Sequence, residues 1–184
     1  SLASISIPEG VTSIVDLAFM DCSSLVSISI PDSVTSIGFT AFYGCSSLTE
    51  INIPAGVTSI NSNTFDGCSS LTSITIPESV TSIDYAAFRD CTSLTAITIP
   101  ESVTSIGDEA FSDSGLTTIA LPEGITVLER SVFRNCTELT SVTIPKSVTS
   151  IGERAFENCR SLVSLTIPES VTSIGNYAFA NCGS

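Results

Sequence analysis

Proline recurs along this chain with a nearly constant period. The spacing between neighbouring prolines is 23 residues at every step except one, where it is 22. The eight prolines lie at positions 8, 31, 54, 77, 100, 122, 145 and 168. A fixed period of this length is typical of a repeat solenoid, in which each repeat forms one coil and stacks on its neighbours. We therefore predict a single array of about eight coils that spans residues 1–184.

The two ends of the array resemble its interior. Neither end carries the polar capping coil that closes a solenoid against solvent. We therefore expect the chain to be a fragment of a longer protein. Open strand edges at both ends also predict end-to-end self-association.

The pattern within one coil predicts two strands and a turn. Ile97 and Ile99 alternate with small residues, which indicates a half-buried strand that ends at Pro100, because proline has no N–H for a ladder. Residues 103–106 repeat the inward β-branched pattern, so we expect two parallel sheets. The segment 108–112 favours one short helical or 3-10 turn. One coil buries too little apolar surface to offset its conformational entropy, so the coils must stack.

The segment 111–116 is one residue shorter than its counterparts in the other coils and lacks their cysteine, which Ser114 replaces. We predict a local tightening here without a change of fold. The seven cysteines otherwise recur once per coil, always three residues after a phenylalanine, at positions 22, 45, 68, 91, 136, 159 and 182. Such a column, with an odd total, favours buried small apolar side chains over disulfide pairs.

Charge limits the partners of the chain. The net charge is −13, and residues 1–88 contain no lysine or arginine. Binding of a phosphate backbone or an anionic membrane surface requires basic residues, so we expect no nucleic-acid partner. No stretch approaches the run of about 18 apolar residues that crosses a bilayer, so we expect no membrane insertion in this segment.

The full pattern is specific enough to indicate a family. Leu-x-x-Ile-x-Ile-Pro-x-x-Val-x-x-Ile-Gly-x-x-Ala-Phe-x-x-Cys runs from Leu139 to Cys159, with Val142 in place of the first isoleucine. Proline recurs eight times in register, cysteine seven times and the strict Ala-Phe pair six times. The chain resembles the BspA-like leucine-rich repeat over essentially its whole length. The resemblance implies a surface-exposed or secreted protein linked to adhesion and to binding of host matrix proteins, with binding through the sheet.

The first strand of each coil directs two columns of side chains outward, and we call this surface the sheet face. One column reads Ser6, Ser29, Asn52, Thr75, Thr98, Ala120, Thr143 and Thr166, and the other reads Ser4, Ser27, Glu50, Ser73, Ala96, Thr118, Ser141 and Ser164. Hydroxyls that hydrogen-bond along the sheet would account for most of these residues without any ligand. The chemistry changes only at Glu50 and Asn52. Our candidate binding residues on this face are therefore Glu50, Asn52, Ser73, Thr75 and Thr98.

The turns around each phenylalanine vary more, and we call this surface the ridge. Tyrosine and arginine gather there, and both residue types are enriched among those that dominate binding energies. Tyr43, Tyr85 and Arg89 are the candidate binding residues on the ridge. The alternative is drift on a tolerant turn, with each arginine paired to a neighbouring acid as a weak exposed ion pair.

The residue inventory argues against an enzyme and against a metal site. The chain has no histidine, so a serine or cysteine nucleophile lacks its usual base. One cysteine per coil does not provide the four ligands of a tetrahedral zinc site. The acidic turns after the prolines form a solvated edge, and no loop there provides the six oxygen ligands that Ca²⁺ takes. A glycosidase needs a cleft with two acids in unlike environments, and a regular rod of exposed acids provides neither. We expect no catalytic residue, no metal and no cofactor.

Three hypotheses remain. The first is a non-enzymatic recognition or adhesion module at the cell surface or outside the cell, which binds a host matrix protein, a cell-surface protein or a glycan. The second is a structural spacer with no ligand of its own. The third is ice binding by threonine ladders, which the mixture of serine, alanine, asparagine and glutamate on the sheet face disfavours.

Overall fold

A computed structural model describes residues 2–183 of the chain. It is a stack of eight coils, each built from an extended first segment, a proline turn, a second short strand and a run of turns, and the first segment is assigned as a strand in six of the coils. The first row of strands comprises β1 (Ser4–Ser6), β3 (Ser27–Ser29), β5 (Glu50–Asn52), β7 (Ser73–Thr75), β10 (Thr118–Ala120) and β12 (Ser141–Thr143). The second row comprises β2 (Ser13–Ile14), β4 (Ser36–Ile37), β6 (Ser59–Ile60), β8 (Ser82–Ile83), β9 (Ser105–Ile106), β11 (Val127–Leu128), β13 (Ser150–Ile151) and β14 (Ser173–Ile174).

All strand pairs are parallel, and equivalent positions face each other. Ile51 pairs with Ile74 in the first row, and Ile60 pairs with Ile83 in the second. The alternation within each strand keeps isoleucine inside and small polar residues outside, as in β5, where Ile51 is buried between exposed Glu50 and Asn52. The predicted parallel solenoid is therefore confirmed.

A column of phenylalanine rings forms the centre of the core. Eight of the nine phenylalanines stack face to face along the axis, from Phe19 to Phe179. Neighbouring centroids are 5.3 to 5.7 Å apart, and the planes differ by at most 19°. Each internal ring is fully buried, so the apolar contacts that stabilise the fold run between coils and not within one coil.

The cysteine column packs beside the rings. All seven cysteines are free thiols, and the five inner ones are buried. Each inner thiol donates a hydrogen bond to the carbonyl oxygen of the phenylalanine one coil earlier, as from Cys68 to Phe42 and from Cys91 to Phe65, both at 3.2 Å. The prediction of a packing column instead of disulfide pairs is therefore confirmed.

The expected helical or 3-10 turn is wrong, because no residue of the described range 2–183 lies in a helix. The residues two before and two after each of the eight stacked phenylalanines have positive φ, such as Ala86 at 51° and Asp90 at 56°. This alternation breaks the helical conformation. Alternate N–H groups instead donate within the coil, as from Arg89 to Ala86, and to the next coil, as from Phe88 to Ala110. The turns of successive coils are therefore joined by their own ladder of backbone hydrogen bonds, in addition to the ladders between strands.

The short coil keeps the fold, as predicted. Phe111 still stacks on Phe88 and Phe133, and β9 still pairs with β8. The first row is nevertheless interrupted in this coil, because residues 96–98 are not assigned to a strand. Their N–H groups donate to no backbone carbonyl of the described residues.

Candidate functional site

Strand pairing brings four of the predicted sheet-face residues together. Glu50 faces Ser73 and Asn52 faces Thr75 across β5 and β7, and all four side chains are exposed. They line an open depression of about 310 Å³ with Ser27, Ile28 and Ile51. Small outward side chains leave this space open, and isoleucines form its floor.

Thr98 lies beyond this group, in a second depression of about 350 Å³. This depression is centred on the unpaired residues 96–98, and it is completed by Ser73, Ile74, Thr118, Ile119 and Ala120. Ser73 belongs to both depressions, so together they form one trough on the sheet face. Ile74 and Ile97 are only partly buried here, as is Ile28 in the first depression, whereas Ile51 and Ile119 are buried.

The expectation that sheet-face hydroxyls hydrogen-bond along the sheet is wrong. Other threonine columns do so: Thr72 donates to the Thr49 carbonyl at 3.1 Å, and Thr104 donates to Thr81 at 3.4 Å. Serines of the proline turns also donate to the previous coil, as Ser79 does to Val57 at 2.6 Å. Within residues 2–183, the hydroxyls of Ser73, Thr75 and Thr98 make no hydrogen bond to the protein. Their donors and acceptors are free for another molecule.

Glu50 is the one charged residue in the two outward columns of the sheet face. Its carboxylate forms no ion pair with any residue of the described range, in which the nearest base in sequence is Arg89. The trough is therefore neutral apart from one uncompensated negative charge.

The ridge residues have a different environment. Tyr85 is exposed and Tyr43 is partly buried. Arg89 contacts two carboxylates on different coils, with Nη2 2.6 Å from Asp66 Oδ2 and Nη1 3.1 Å from Glu109 Oε2. The hydrogen bond to Asp66 raises the pKa of the Arg89 guanidinium above its ordinary value. Because the Asp66 side chain is only 3% exposed, Arg89 neutralises a buried carboxylate and its guanidinium is already occupied.

The other ridge arginines are paired as well. Arg130 contacts Asp108 and Glu109, and Arg134 contacts Glu157 at 2.8 Å. These pairs are more exposed than the pair of Arg89 and Asp66. The ridge is thus a surface whose positive charges are matched by acids of the same surface, and its exposed aromatic rings are Phe39, Tyr85 and Tyr177.

A ladder of acids and amides along the ridge escaped the sequence reasoning. Asn135 donates to Asp113 at 2.9 Å, and Asn158 donates to Asn135 at 2.7 Å. These side chains occupy the second positive-φ position of each coil, which reads Asp21, Gly44, Gly67, Asp90, Asp113, Asn135, Asn158 and Asn181. Only glycine, asparagine and aspartate occur there, and these are the residues that adopt positive φ most readily. The restriction of this column to three residue types is a sequence signal that predicts positive φ.

Asp90 is the weak point of this ladder, and we predict that Asp90→Asn stabilises the fold. Burial first, and then the nearby Asp113 and Asp66 carboxylates, raise the pKa of Asp90 above its ordinary value of 3.8. An amide removes this repulsion and adds a donor toward Asp113. Because Asp90 is exposed to solvent, we expect a gain of only about 0.5 kcal/mol at pH 7 in urea unfolding.

The pH dependence provides an independent measurement. A raised pKa in the folded state means that folding favours the protonated form of Asp90, so the contribution of Asp90 to stability increases as the pH falls from 7 toward 4. Asp90→Asn should reduce this gain. Asp32→Asn removes the same charge from an exposed proline turn and serves as the control. Equal effects of the two substitutions would show that net charge alone is responsible.

The five inner thiols are buried among the apolar side chains of the core. Burial raises the pKa of Cys45 and of Cys136 to about 12, so both remain protonated at neutral pH. Within residues 2–183, no group of three or more histidine, cysteine, aspartate or glutamate side chains is placed to hold a metal ion. No helix long and apolar enough to cross a bilayer occurs in that same range.

Comparison with known proteins shows which family has this architecture. The family described as BspA type Leucine rich repeat region matches in six copies, over residues 1–85 and 58–184. No curated protein matches the chain. A leucine-rich repeat protein from Bacteroides ovatus has a similar crystal structure, with 35% identity and a TM-score of 0.95, over 98% of this chain and 50% of that protein. The chain thus spans about half the length of that relative.

Two further crystal structures are similar. The leucine-rich repeat protein TpLRR of T. pallidum is 35% identical with a TM-score of 0.82, over 87% of this chain and 78% of its own. A leucine rich cell surface protein from Faecalibacterium prausnitzii is 30% identical with a TM-score of 0.60, over 96% of this chain and 64% of its own. The repeat pattern, the stacked phenylalanines and these matches agree, and the chain belongs to the BspA-type leucine-rich repeat family.

Proposed function

We propose that this chain is a non-enzymatic recognition module that acts at the cell surface or outside the cell and binds its partner through the sheet face. Leucine-rich repeats are generally protein-interaction modules, and this family is a repeat scaffold. The relative from Faecalibacterium prausnitzii, which is described as a cell surface protein, supports the location. The partner is a host extracellular matrix protein, a cell-surface protein or a glycan.

One observation carries this proposal. The fold uses the hydroxyls of several other serine and threonine columns to bond neighbouring coils, but it leaves those of the sheet face unused. Polar groups that serve no internal purpose, over a trough with an aliphatic floor, suit a binding surface. The residues proposed to contact the partner are Glu50, Asn52, Ser73, Thr75 and Thr98. Tyr43, Tyr85 and Arg89 on the ridge form a second candidate surface.

A binding screen tests the proposal. The chain is immobilised and presented with a panel of matrix proteins and glycans, and saturable binding is the expected result. A triple substitution of Glu50, Asn52 and Thr75 to alanine should weaken that binding by about tenfold or more. Substitution of Ser141 and Thr143 to alanine, at the equivalent positions of β12, is the matched control and should bind as the parent chain does, whereas Tyr85→Ala tests the ridge.

The outcomes separate the alternatives. Loss of binding in Tyr85→Ala, with the triple variant unaffected, would move the binding surface to the ridge. No binding across the panel would favour a structural spacer that holds another domain away from the cell. Thermal unfolding of each variant, followed by circular dichroism, shows that the coils remain folded.

A further inference from the structure

The two depressions of the sheet face lie two coils apart. The first is lined from β3 across β5 to β7, so it is centred on β5. The second is lined from β7 to β10, so it is centred on residues 96–98. We infer that the trough binds a single polypeptide segment in the polyproline II conformation, laid along the axis of the array. This inference rests on the proposed function, since it assigns the class of partner to the same surface.

The spacing of the depressions favours that conformation. Adjacent strands are about 4.8 Å apart, so the two centres are separated by about 9.6 Å. In polyproline II the side chains at i and i+3 point in the same direction and lie about 9.3 Å apart. In an extended β-strand the side chains on one face repeat at about 6.8 and 13.6 Å, and neither distance fits. Two small apolar side chains three residues apart therefore reach both depressions.

The floor and rim of the trough have matching chemistry. Partly exposed Ile28, Ile74 and Ile97 accept apolar groups at the base of the depressions. On the rim, Ser73 and Thr75 offer free hydroxyl donors. A polyproline II segment has no internal hydrogen bonds, so its carbonyl groups are available as acceptors for these donors.

The charge of the trough defines one further feature of the segment. Glu50 has no basic partner, and residues 1–88 provide none. A lysine or arginine beside the first apolar side chain would compensate this carboxylate. The trough therefore fits a polypeptide segment that carries a lysine or arginine beside an apolar side chain.

Synthetic peptides test this inference with the intact chain. Two fluorescent proline-rich dodecamers of identical composition each carry one lysine and two valines, with the valines three residues apart in one and four apart in the other. Fluorescence anisotropy should show that the first peptide binds about tenfold more tightly. Glu50→Gln should weaken its binding and reduce the dependence of affinity on salt.

Two variants at equivalent positions locate the binding site. Ser73→Tyr fills the point that both depressions share, and it should abolish binding of the first peptide. Ser141→Tyr places the same side chain on the same column in β12, outside both depressions, and should leave the affinity unchanged. Circular dichroism melts of both variants verify that the fold is retained.

Different results would contradict the polyproline II inference and the proposed recognition function. Equal affinity for the two peptides, or equal loss in Ser73→Tyr and Ser141→Tyr, would overturn the polyproline II assignment. Matrix or glycan binding that depends on Ser73 while both peptides fail to bind would also overturn it, but the recognition function would stand. If neither the peptides nor the panel binds, both proposals fail.

Discussion

Replacing Phe88 with alanine will lower the free energy of unfolding by about 3–5 kcal/mol, as truncation of a core phenylalanine does. Phe88 is fully buried, and its ring lies 5.5 Å from those of Phe65 and Phe111. The rings on either side are held by their own stacking partners, so they do not move to fill the cavity. Urea unfolding followed by circular dichroism measures the loss, and the melting temperature should fall by on the order of 10 °C.

Phe39→Ala is the control for this prediction. Phe39 is the one phenylalanine outside the stack and is 51% exposed, so its truncation should cost less than about 1 kcal/mol. A loss below about 1 kcal/mol for Phe88→Ala, or equal losses for the two variants, would mean that the ring column does not hold the coils together.

The period of the sequence was sufficient to predict the stack and the register. In a solenoid a residue meets its own equivalent in the next coil, so a column read down the sequence is also a line of contacts in space. Inward isoleucines, outward hydroxyls, free thiols and stacked rings all follow from this relation. The pairing of Ile51 with Ile74 and the stacking of Phe65 on Phe88 are examples.

The turns were harder to predict because their conformation depends on two ladders at once. A small residue beside a phenylalanine suggested a helical turn, but the inter-coil bond from Phe88 to Ala110 requires the N–H to point along the axis. Positive φ at Ala86 and Asp90 provides that direction. The restriction of one column to glycine, asparagine and aspartate was the signal for it, whereas alanine at the other position gave none.

Only part of the candidate site could be predicted from the sequence. Sequence columns located the exposed positions Glu50, Asn52 and Thr75, but they did not distinguish hydroxyls that bond the next coil from hydroxyls that are free. That distinction depends on whether the hydroxyl points toward a backbone carbonyl oxygen of the preceding coil, as the hydroxyl of Thr72 does toward the carbonyl of Thr49. No column of the sequence marks the missing strand at residues 96–98, and residues 164–166 of a full-length coil also lack a strand assignment.

The second large effect that we expect concerns Arg89. Arg89→Met leaves the Asp66 carboxylate buried without a cation, and Asn63, at 2.9 Å, remains as its side-chain donor. Removing one partner of a fully buried ion pair costs about 3–5 kcal/mol. Because the Arg89 side chain is 29% exposed, water will reach the carboxylate, and we expect a loss of about 1–3 kcal/mol in urea unfolding.

Arg134→Met tests the same column of the ridge without a buried acid. Arg134 is 42% exposed and pairs with Glu157, so its loss should cost about 0–1 kcal/mol. Adding Asp66→Asn to Arg89→Met should restore part of the stability, since no charge is then left uncompensated. If the double variant is as unstable as the single one, Arg89 acts through the packing of its alkyl chain. If Arg89→Met instead abolishes partner binding and leaves stability unchanged, Arg89 belongs to the binding surface.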